Sequence, residues 1–170
     1  LNSWWVPSEV IYGLEHSDAK LLFADQKRMQ GLEYLKDVKK IVTSYTPDPS
    51  FKSFSDFINE HSISFPEVNI GRNDPATIYY TSGSTGKPKG VLSSQKAVIA
   101  TLFSWACFSS IMKEVDNQKD PNTPPLLDEA SAILLCVPLF HVTGSHAGMF
   151  MSILVGRKIV MMKKWDAGIA

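Results

Sequence analysis

The segment Thr81 to Val91 reads TSGSTGKPKGV and combines the residue types that bind phosphate groups. Its glycines let main-chain N–H groups come close to an anion. Its hydroxyl groups add hydrogen-bond donors, and its two lysines add positive charge. A Walker A loop would read G-x-x-x-x-G-K followed by Ser or Thr, but here Gly86-Lys87 is followed by Pro88. We therefore predict a phosphate loop of another type over residues 81–91.

A second candidate is a histidine that directly follows a predicted apolar strand. The segment from Pro138 to Gly144 reads PLFHVTG and contains His141. A single histidine in this setting is more often structural than functional, so these residues alone do not assign it a role. The other three histidines have no partners at the spacing of metal ligands, and we predict no metal site.

The elements that must position these residues alternate between strands and helices. We predict helices over residues 8–16, 26–37, 53–61, 96–113 and 142–154, with Ser53, three residues before Asp56, and Ser94 as caps of the third and fourth helices. We predict strands over residues 20–24, 41–43, 77–82, 132–137 and 157–162, the first of them buried. This alternation predicts an α/β fold with a largely parallel sheet and flanking helices. Such sheets bind ligands at the carboxyl ends of their strands, which is where the phosphate loop follows its strand. The polar, proline-rich residues 116–128 predict a surface loop insertion.

Composition limits the possible partners and the compartment. The chain has 17 basic and 17 acidic residues, so its charge gives no reason to expect nucleic acid as a partner. The longest apolar stretch, residues 97–112, is shorter than the ~20 residues of a membrane span and predicts a buried helix. Cys107 and Cys136 lie in apolar runs and predict two buried, reduced thiols in an intracellular protein. Because the chain begins with Leu1, we expect it to be part of a longer protein.

The phosphate loop resembles the signature loop of the adenylate-forming (AMP-binding) superfamily. That superfamily includes acyl-CoA synthetases, aryl-CoA ligases, luciferases and the adenylation domains of peptide synthetases. Asp74-Pro75-Ala76 before the strand also fits, and the resemblance extends from Leu1-Asn2 to Asp166. It implies that residues 1–170 are part of the large N-terminal domain, about one third of a typical member.

In the resembled superfamily the loop holds the β- and γ-phosphates of ATP while a carboxylate attacks the α-phosphorus. The products are an acyl-adenylate and pyrophosphate, and coenzyme A then usually takes the acyl group. The resemblance implies that the ATP contacts of this chain are Thr81, Ser82, Gly83, Ser84, Thr85 and Lys89. We expect Gly86 and Gly90 to serve backbone geometry and Lys87 to be a solvated charge.

The resemblance also gives His141 a role. The coenzyme A ligases of the superfamily carry P-x-F-H-x-x-G at a similar distance, with the histidine beside the acyl pocket and the adenylate. His141 is therefore expected to contact the substrate as a catalytic residue, with Phe140 near the pocket. Amino-acid adenylation domains usually place an Asp in this region, and residues 138–144 contain none. A fatty or aryl acid without an amino group is the expected substrate.

Several parts of the resembled enzymes are not in this sequence. They include the loop that holds adenine and supplies the Mg²⁺-linked acid, the ribose-binding Asp, and the C-terminal domain with its catalytic Lys. We therefore expect the isolated chain to be inactive and to expose apolar surface where the rest of its domain belongs. An amino-acid adenylation domain, a luciferase-like oxygenase and a non-catalytic nucleotide-binding module remain as alternatives. The expected compartment is the cytoplasm or the peroxisome.

Overall fold

A computed structural model describes residues 1–33, 35–42, 51–60, 63–82, 86–119 and 132–169. The strands are β1 Leu21–Ala24, β2 Lys39–Val42, β3 Lys52–Ser53, β4 Pro75–Thr81, β5 Lys89–Ser94, β6 Ala132–Leu134 and β7 Lys158–Val160. The α-helices are α1 Pro7–His16, α2 Gln26–Met29, α3 Phe54–Asn59, α4 Gln95–Lys119 and α5 Met151–Leu154. A π-helix over Thr143–Phe150 runs directly into α5.

The strands form three small sheets. Strands β1, β2 and β3 pair in that order, and both pairings are parallel. Strands β6 and β7 form a second parallel pair, so the predicted α/β class with parallel strands is confirmed. The third sheet consists of β4 and β5. Only residues 82–88 connect them, which is too short for the crossover that parallel strands need, so this pair is a hairpin.

The chain divides into two compact units. The first contains Leu1–Ile70 and Tyr80–Val91, and the second contains Gly71–Tyr79 and Leu92–Ala170. Apolar side chains form the core of the first unit: Leu14, Met29, Leu32, Val38 and Ile41 are all buried. In the second unit the buried residues concentrate in the π-helix and α5, where small and polar residues are prominent. Buried Met151 is the main apolar member there.

Helix ends follow local capping chemistry. Helix α1 begins at Pro7 and not at the predicted Ser8, because proline is pre-shaped for the first helical position. The Glu9 carboxylate accepts a hydrogen bond from the Val6 N–H at 3.0 Å and so satisfies the amide that precedes the helix. The cap predicted for α3 is confirmed, since Ser53 Oγ accepts from the Asp56 N–H at 3.0 Å.

Other predicted boundaries are wrong. The helix predicted over residues 26–37 ends at Met29, two residues before Gly31, whose φ of +80° is incompatible with an α-helix. Strands β3 and β5 were not predicted, because β3 is very short and the residues of β5 lack the alternation typical of a strand. Strand β1 was predicted to be buried, but its residues alternate between exposed and half-buried.

Helix α4 differs most from its prediction. It runs from Gln95 to Lys119 and continues four residues into the loop predicted over residues 116–128, whose remainder lies outside the described residues. Ser94 Oγ accepts from the Ala97 N–H at 3.4 Å, at the predicted cap. The helix is mostly exposed, with Phe103 and Phe108 each 61% accessible. The prediction of a buried helix is therefore wrong in this structure.

The length argument against a membrane span is also wrong. Residues Gln95–Val115 form a helical stretch of 21 residues with mean hydropathy 1.3, long and apolar enough to cross a membrane by length and composition alone. Core helices of larger domains meet the same criterion, so the stretch is weak evidence for a span. Its polar side chains bond within the helix: the hydroxyls of Thr101 and Ser104 donate to carbonyls four residues earlier.

Both cysteines are free but exposed. Cys107 lies on α4 and Cys136 follows β6. The prediction of unpaired thiols is confirmed, whereas the prediction that they are buried is wrong. An apolar run in the sequence does not ensure burial when the face it occupies is left uncovered.

Candidate functional site

The β4–β5 hairpin brings the outer residues of the predicted phosphate site together. Thr81 is the last residue of β4 and Lys89 is the first residue of β5, so both lie at the end of the hairpin where residues 82–88, called here the turn, connect the two strands. Thr81, Ser82 and Lys89 are all exposed. Within the part of the chain that the structure describes, the Lys89 ammonium forms no ion pair or hydrogen bond and is available to bind an anion. The predicted contacts Gly83, Ser84 and Thr85 lie outside the described residues.

Gly86 gives the turn a conformation that other residues rarely adopt. Its φ is +85°, in the region where an L side chain is strained. A Cβ added at Gly86 would meet nothing within 4 Å, so the requirement is conformational and not steric. This agrees with the expectation that Gly86 serves backbone geometry. The neighbouring Lys87 is exposed, as expected for a solvated charge, and its ammonium lies 5.5 Å from the centroid of the Tyr12 ring.

Helix α1 contacts the hairpin on both sides of this turn. The Tyr80 hydroxyl donates to the Gly13 carbonyl at 3.1 Å, and the Tyr12 hydroxyl donates to the Pro88 carbonyl at 3.2 Å. Burial raises the pKa of the Tyr80 hydroxyl, which therefore keeps its proton at neutral pH. Because that proton goes to Gly13, His16 Nδ1, 2.9 Å away, must donate to the phenol oxygen.

His141 lies on a tight turn in the second unit. Its N–H donates to the Pro138 carbonyl at 3.0 Å, and its ring lies 4.8 Å from the Phe140 ring, centroid to centroid. The side chain is exposed. The imidazole forms no hydrogen bond with any residue that the structure describes, so both nitrogens are available to a ligand. This geometry is compatible with the predicted contact role.

The π-helix holds the main chain of His141. Ser145 donates to the His141 carbonyl twice, through its N–H and through its hydroxyl, each at 3.0 Å. His146 Nδ1 lies 3.0 Å from Ser145 Oγ. Because the single hydroxyl proton goes to the carbonyl, His146 donates its Nδ1–H to Ser145. Ser145 and His146 are 1% and 4% exposed, so this adjacent Ser–His pair is a structural bridge and not an accessible nucleophile and base.

Gly144, the last residue of the PLFHVTG segment, packs closely against main-chain carbonyls. A Cβ at Gly144 would lie 2.4 Å from the carbonyl oxygen of Pro138 and 2.6 Å from that of Val137. These are main-chain atoms, which cannot move aside without displacing the His141 turn. A glycine is therefore required for the π-helix to pack against the residues that precede His141.

Burial also affects His146. Its ring packs against Tyr79, with centroids 5.3 Å apart, and against Phe150, with centroids 5.0 Å apart. This apolar setting lowers the pKa of His146 by desolvation. The imidazole is therefore neutral at physiological pH, as its role of donor to Ser145 allows.

An apolar cavity of about 370 Å³ lies in the second unit. It is lined by Trp105, Phe108, Ser109, Ile133, Ala147, Met151 and Arg157. Two of these residues come from the π-helix and α5, downstream of His141. Among the described residues there is no group of three or more His, Cys, Asp or Glu side chains that could hold a metal ion.

Comparison with known proteins assigns the family. The sequence model of the family described as AMP-binding enzyme matches residues 1–169. This chain belongs to the AMP-binding enzyme family. The match includes the hairpin with the phosphate loop and the His141 segment, so the two groups of residues singled out in the sequence lie in one family domain.

The relatives of this AMP-binding chain are much longer. It is 29% identical over 170 residues to 4-coumarate–CoA ligase 2 of Nicotiana tabacum, covering 97% of this chain and 29% of that protein. Its fold is similar to an anthranilate CoA ligase in complex with anthranoyl-AMP, with TM-score 0.77, 22% identity and coverage of 98% and 30%. An o-succinylbenzoate–CoA synthetase from Bacillus subtilis in complex with AMP gives TM-score 0.66, 23% identity and coverage of 99% and 29%. The chain therefore spans less than a third of the length of these proteins.

The first prediction for this AMP-binding chain concerns the close approach at Gly144. Replacing Gly144 or Gly148 by Ala adds the same methyl group and the same helix propensity. At Gly148 the new Cβ meets the flexible end of the Leu135 side chain at 2.5 Å, which can move. We expect Gly144→Ala to lower the free energy of unfolding by about 1–3 kcal/mol more than Gly148→Ala does. Urea unfolding of the full-length protein measures this difference, and equal values for the two variants would contradict the steric role.

The second prediction concerns His146 and pH. Because its pKa is lowered in the folded state, the unfolded chain binds more protons between that pKa and the usual value of about 6.5. The stability that His146 contributes is therefore lost as pH falls below about 6.5 and is retained above it. We expect urea unfolding between about pH 7 and pH 5 to show a smaller loss of stability in His146→Gln than in the unchanged protein. The same loss in both proteins would exclude His146 as its source.

Proposed function

We propose that the full-length protein carrying these residues is an acid–thiol ligase that activates a fatty or aryl acid as an acyl-adenylate and transfers it to coenzyme A. The observation that carries the proposal is the phosphate loop of an AMP-binding domain, with exposed Thr81, Ser82 and Lys89 where β4 ends and β5 begins, and with Lys89 unpaired among the described residues. The relation to 4-coumarate–CoA ligases supports the coenzyme A branch.

The loop has an electrostatic task in this reaction. When a carboxylate attacks the α-phosphorus of ATP, the leaving pyrophosphate gains negative charge in the transition state. In the proposed reaction, hydroxyl groups, main-chain N–H groups and the Lys89 ammonium of the loop would stabilise that charge by binding the β- and γ-phosphates. Mg²⁺ would neutralise further charge on the polyphosphate when bound. Lys89, the first residue of β5, would also neutralise negative charge on the polyphosphate.

His141 supplies the second part of the proposal. Its exposed imidazole can donate a hydrogen bond to a carboxylate or phosphate oxygen. No Asp stands in residues 138–144 to pair with a substrate ammonium, which favours an acid without an amino group. Free thiols at Cys107 and Cys136 fit a reducing intracellular compartment, the cytoplasm or the peroxisome.

A substrate panel tests the proposed chemistry. The full-length protein is incubated with ATP, Mg²⁺ and coenzyme A plus fatty, aryl or amino acids, and pyrophosphate release and thioester formation are measured separately. We expect both signals with a fatty or aryl acid. Pyrophosphate release with amino acids alone would indicate an amino-acid adenylation enzyme instead. ATP binding without release of pyrophosphate with any acid would indicate a non-catalytic module.

Lys89→Ala tests the role of the loop. Hydrogen bonds to charged groups contribute about 1.5–3 kcal/mol, so we expect the KM for ATP to rise by about ten- to a hundredfold and adenylation to slow. Lys87→Ala removes the same charge two residues earlier in the loop and should have a much smaller effect. Steady-state ATP–pyrophosphate exchange in the full-length protein measures both. Unchanged kinetics in Lys89→Ala would remove this residue from the site.

The isolated chain should not complete the reaction. It spans 29% of the length of the tobacco ligase, and the Mg²⁺-linked acid and the catalytic Lys implied by the resemblance are not in it. We expect no carboxylate-dependent ATP–pyrophosphate exchange from residues 1–170 alone. Exchange above the background of a Lys89→Ala version of the same polypeptide would contradict this expectation.

A further inference from the structure

We propose that helix α1 is the positioning element of the phosphate loop and fixes both ends of its turn through Tyr80 and Tyr12. The inference rests on the proposed function of the loop as the site of the ATP polyphosphate. It assigns a role to Tyr12 and Gly13 of α1, which lie 76 and 67 positions before their partners on the hairpin and do not themselves contact phosphate in this scheme. All the contacts belong to the first unit of the chain.

The first end is fixed at Tyr80, which directly precedes Thr81. Its half-buried hydroxyl donates to the Gly13 carbonyl at 3.1 Å, and its ring packs edge-on against Trp5 with centroids 5.4 Å apart. Gly13 lies in the last turn of α1, and its carbonyl also accepts from the N–H and the hydroxyl of Ser17, at 3.1 and 2.7 Å, so Tyr80 shares this oxygen with the residue that caps the end of the helix. His16 adds a second bond to the same phenol at 2.9 Å.

The second end is fixed at Pro88, which directly precedes Lys89. The Tyr12 hydroxyl donates to the Pro88 carbonyl at 3.2 Å. Proline has no N–H to contribute, and the bond uses its carbonyl instead. The Lys87 ammonium over the Tyr12 ring adds a weaker cation–π contact on the same side.

One face of α1 therefore contacts both ends of the phosphate-loop turn. Tyr12 and His16 are four residues apart and lie on the same side of the helix, with ring centroids 5.3 Å apart. Because each end of the turn is bonded to this helix, the position of both ends relative to α1 is set before a ligand arrives. Ordering a glycine-rich turn around a polyphosphate costs conformational entropy, and a turn with fixed ends loses less of it on binding.

The test replaces each hydroxyl without removing its ring. Tyr12→Phe and Tyr80→Phe are made in the full-length protein, with Tyr79→Phe as the matched control. Tyr79 is the neighbouring residue on β4, and its hydroxyl forms no hydrogen bond within the described part of the chain. Binding of ATP, pyrophosphate and AMP is measured by calorimetry, and thermal unfolding is followed for each variant.

We expect Tyr12→Phe and Tyr80→Phe each to weaken binding of ATP and pyrophosphate by about two- to tenfold, the range for loss of one neutral hydrogen bond. AMP lacks the phosphates that the loop holds, so its affinity should stay unchanged. Tyr79→Phe should resemble the unchanged protein for all three ligands. An equal loss for AMP and ATP, with a lower unfolding temperature, would indicate a general role in folding and overturn the inference.

The result also separates this inference from the function on which it rests. If Lys89→Ala weakens pyrophosphate binding while the two tyrosine variants bind it normally, the loop binds phosphate but α1 does not position it. If none of the variants, Lys89→Ala included, changes pyrophosphate binding, both the positioning role and the phosphate-loop assignment fail.

Discussion

Hydroxyl groups that donate to main-chain carbonyls hold each segment that could meet a ligand. Tyr80, at one end of the phosphate-loop turn, bonds to the carbonyl of Gly13 in α1. Tyr12 of α1 bonds to the carbonyl of Pro88 at the other end. Ser145 bonds to the carbonyl of His141 in the second unit. Tyr12 and Ser145 are helix side chains that bond to main-chain carbonyls outside their own helices, and Tyr80 is a strand side chain that bonds to the main chain of α1. The side chains of Lys89 and His141, which would meet the ligand, form no hydrogen bond or ion pair among the described residues.

The apolar surface of the chain, in contrast, is left largely uncovered. Helix α4 carries exposed Phe103, Phe108 and Ile111, and among the described residues two of the three sheets have two strands each. Pairs of strands are marginal without further packing, and large apolar side chains rarely face water in contiguous groups. A chain that spans under a third of its relatives accounts for both features, because elements that cover these surfaces in a longer domain would lie outside it. The length and hydropathy of α4 fit a membrane span, but they fit a helix buried inside a larger domain equally well.

Local signals in the sequence predicted much of the fold. Ser53 caps α3 as expected from its spacing to Asp56, and the alternation of strands and helices predicted the parallel pairs. The failures are also physical. Strand β5 was missed because hairpin pairing with β4, and not an alternating pattern, makes its residues extended. The extent of α2 was overestimated because helical spacing persisted through Gly31, where the backbone adopts a positive φ. Burial of α4 and of the cysteines was predicted from hydrophobicity, which states a preference for burial but does not supply the covering partner.

The sequence by itself determined the chemistry of the candidate site. Glycines, hydroxyls and Lys89 are contiguous within eleven residues, and His141 stands in a short pattern, so both could be read without knowledge of the fold. Only the tertiary structure decided what holds these residues in place. Tyr12 and Pro88 are 76 positions apart and Tyr80 and Gly13 are 67 apart, and no periodicity links such pairs. The requirement for glycine at position 144 likewise became clear only when the carbonyls of Val137 and Pro138 were found against it, because close approach of two backbones is a property of packing and not of local sequence.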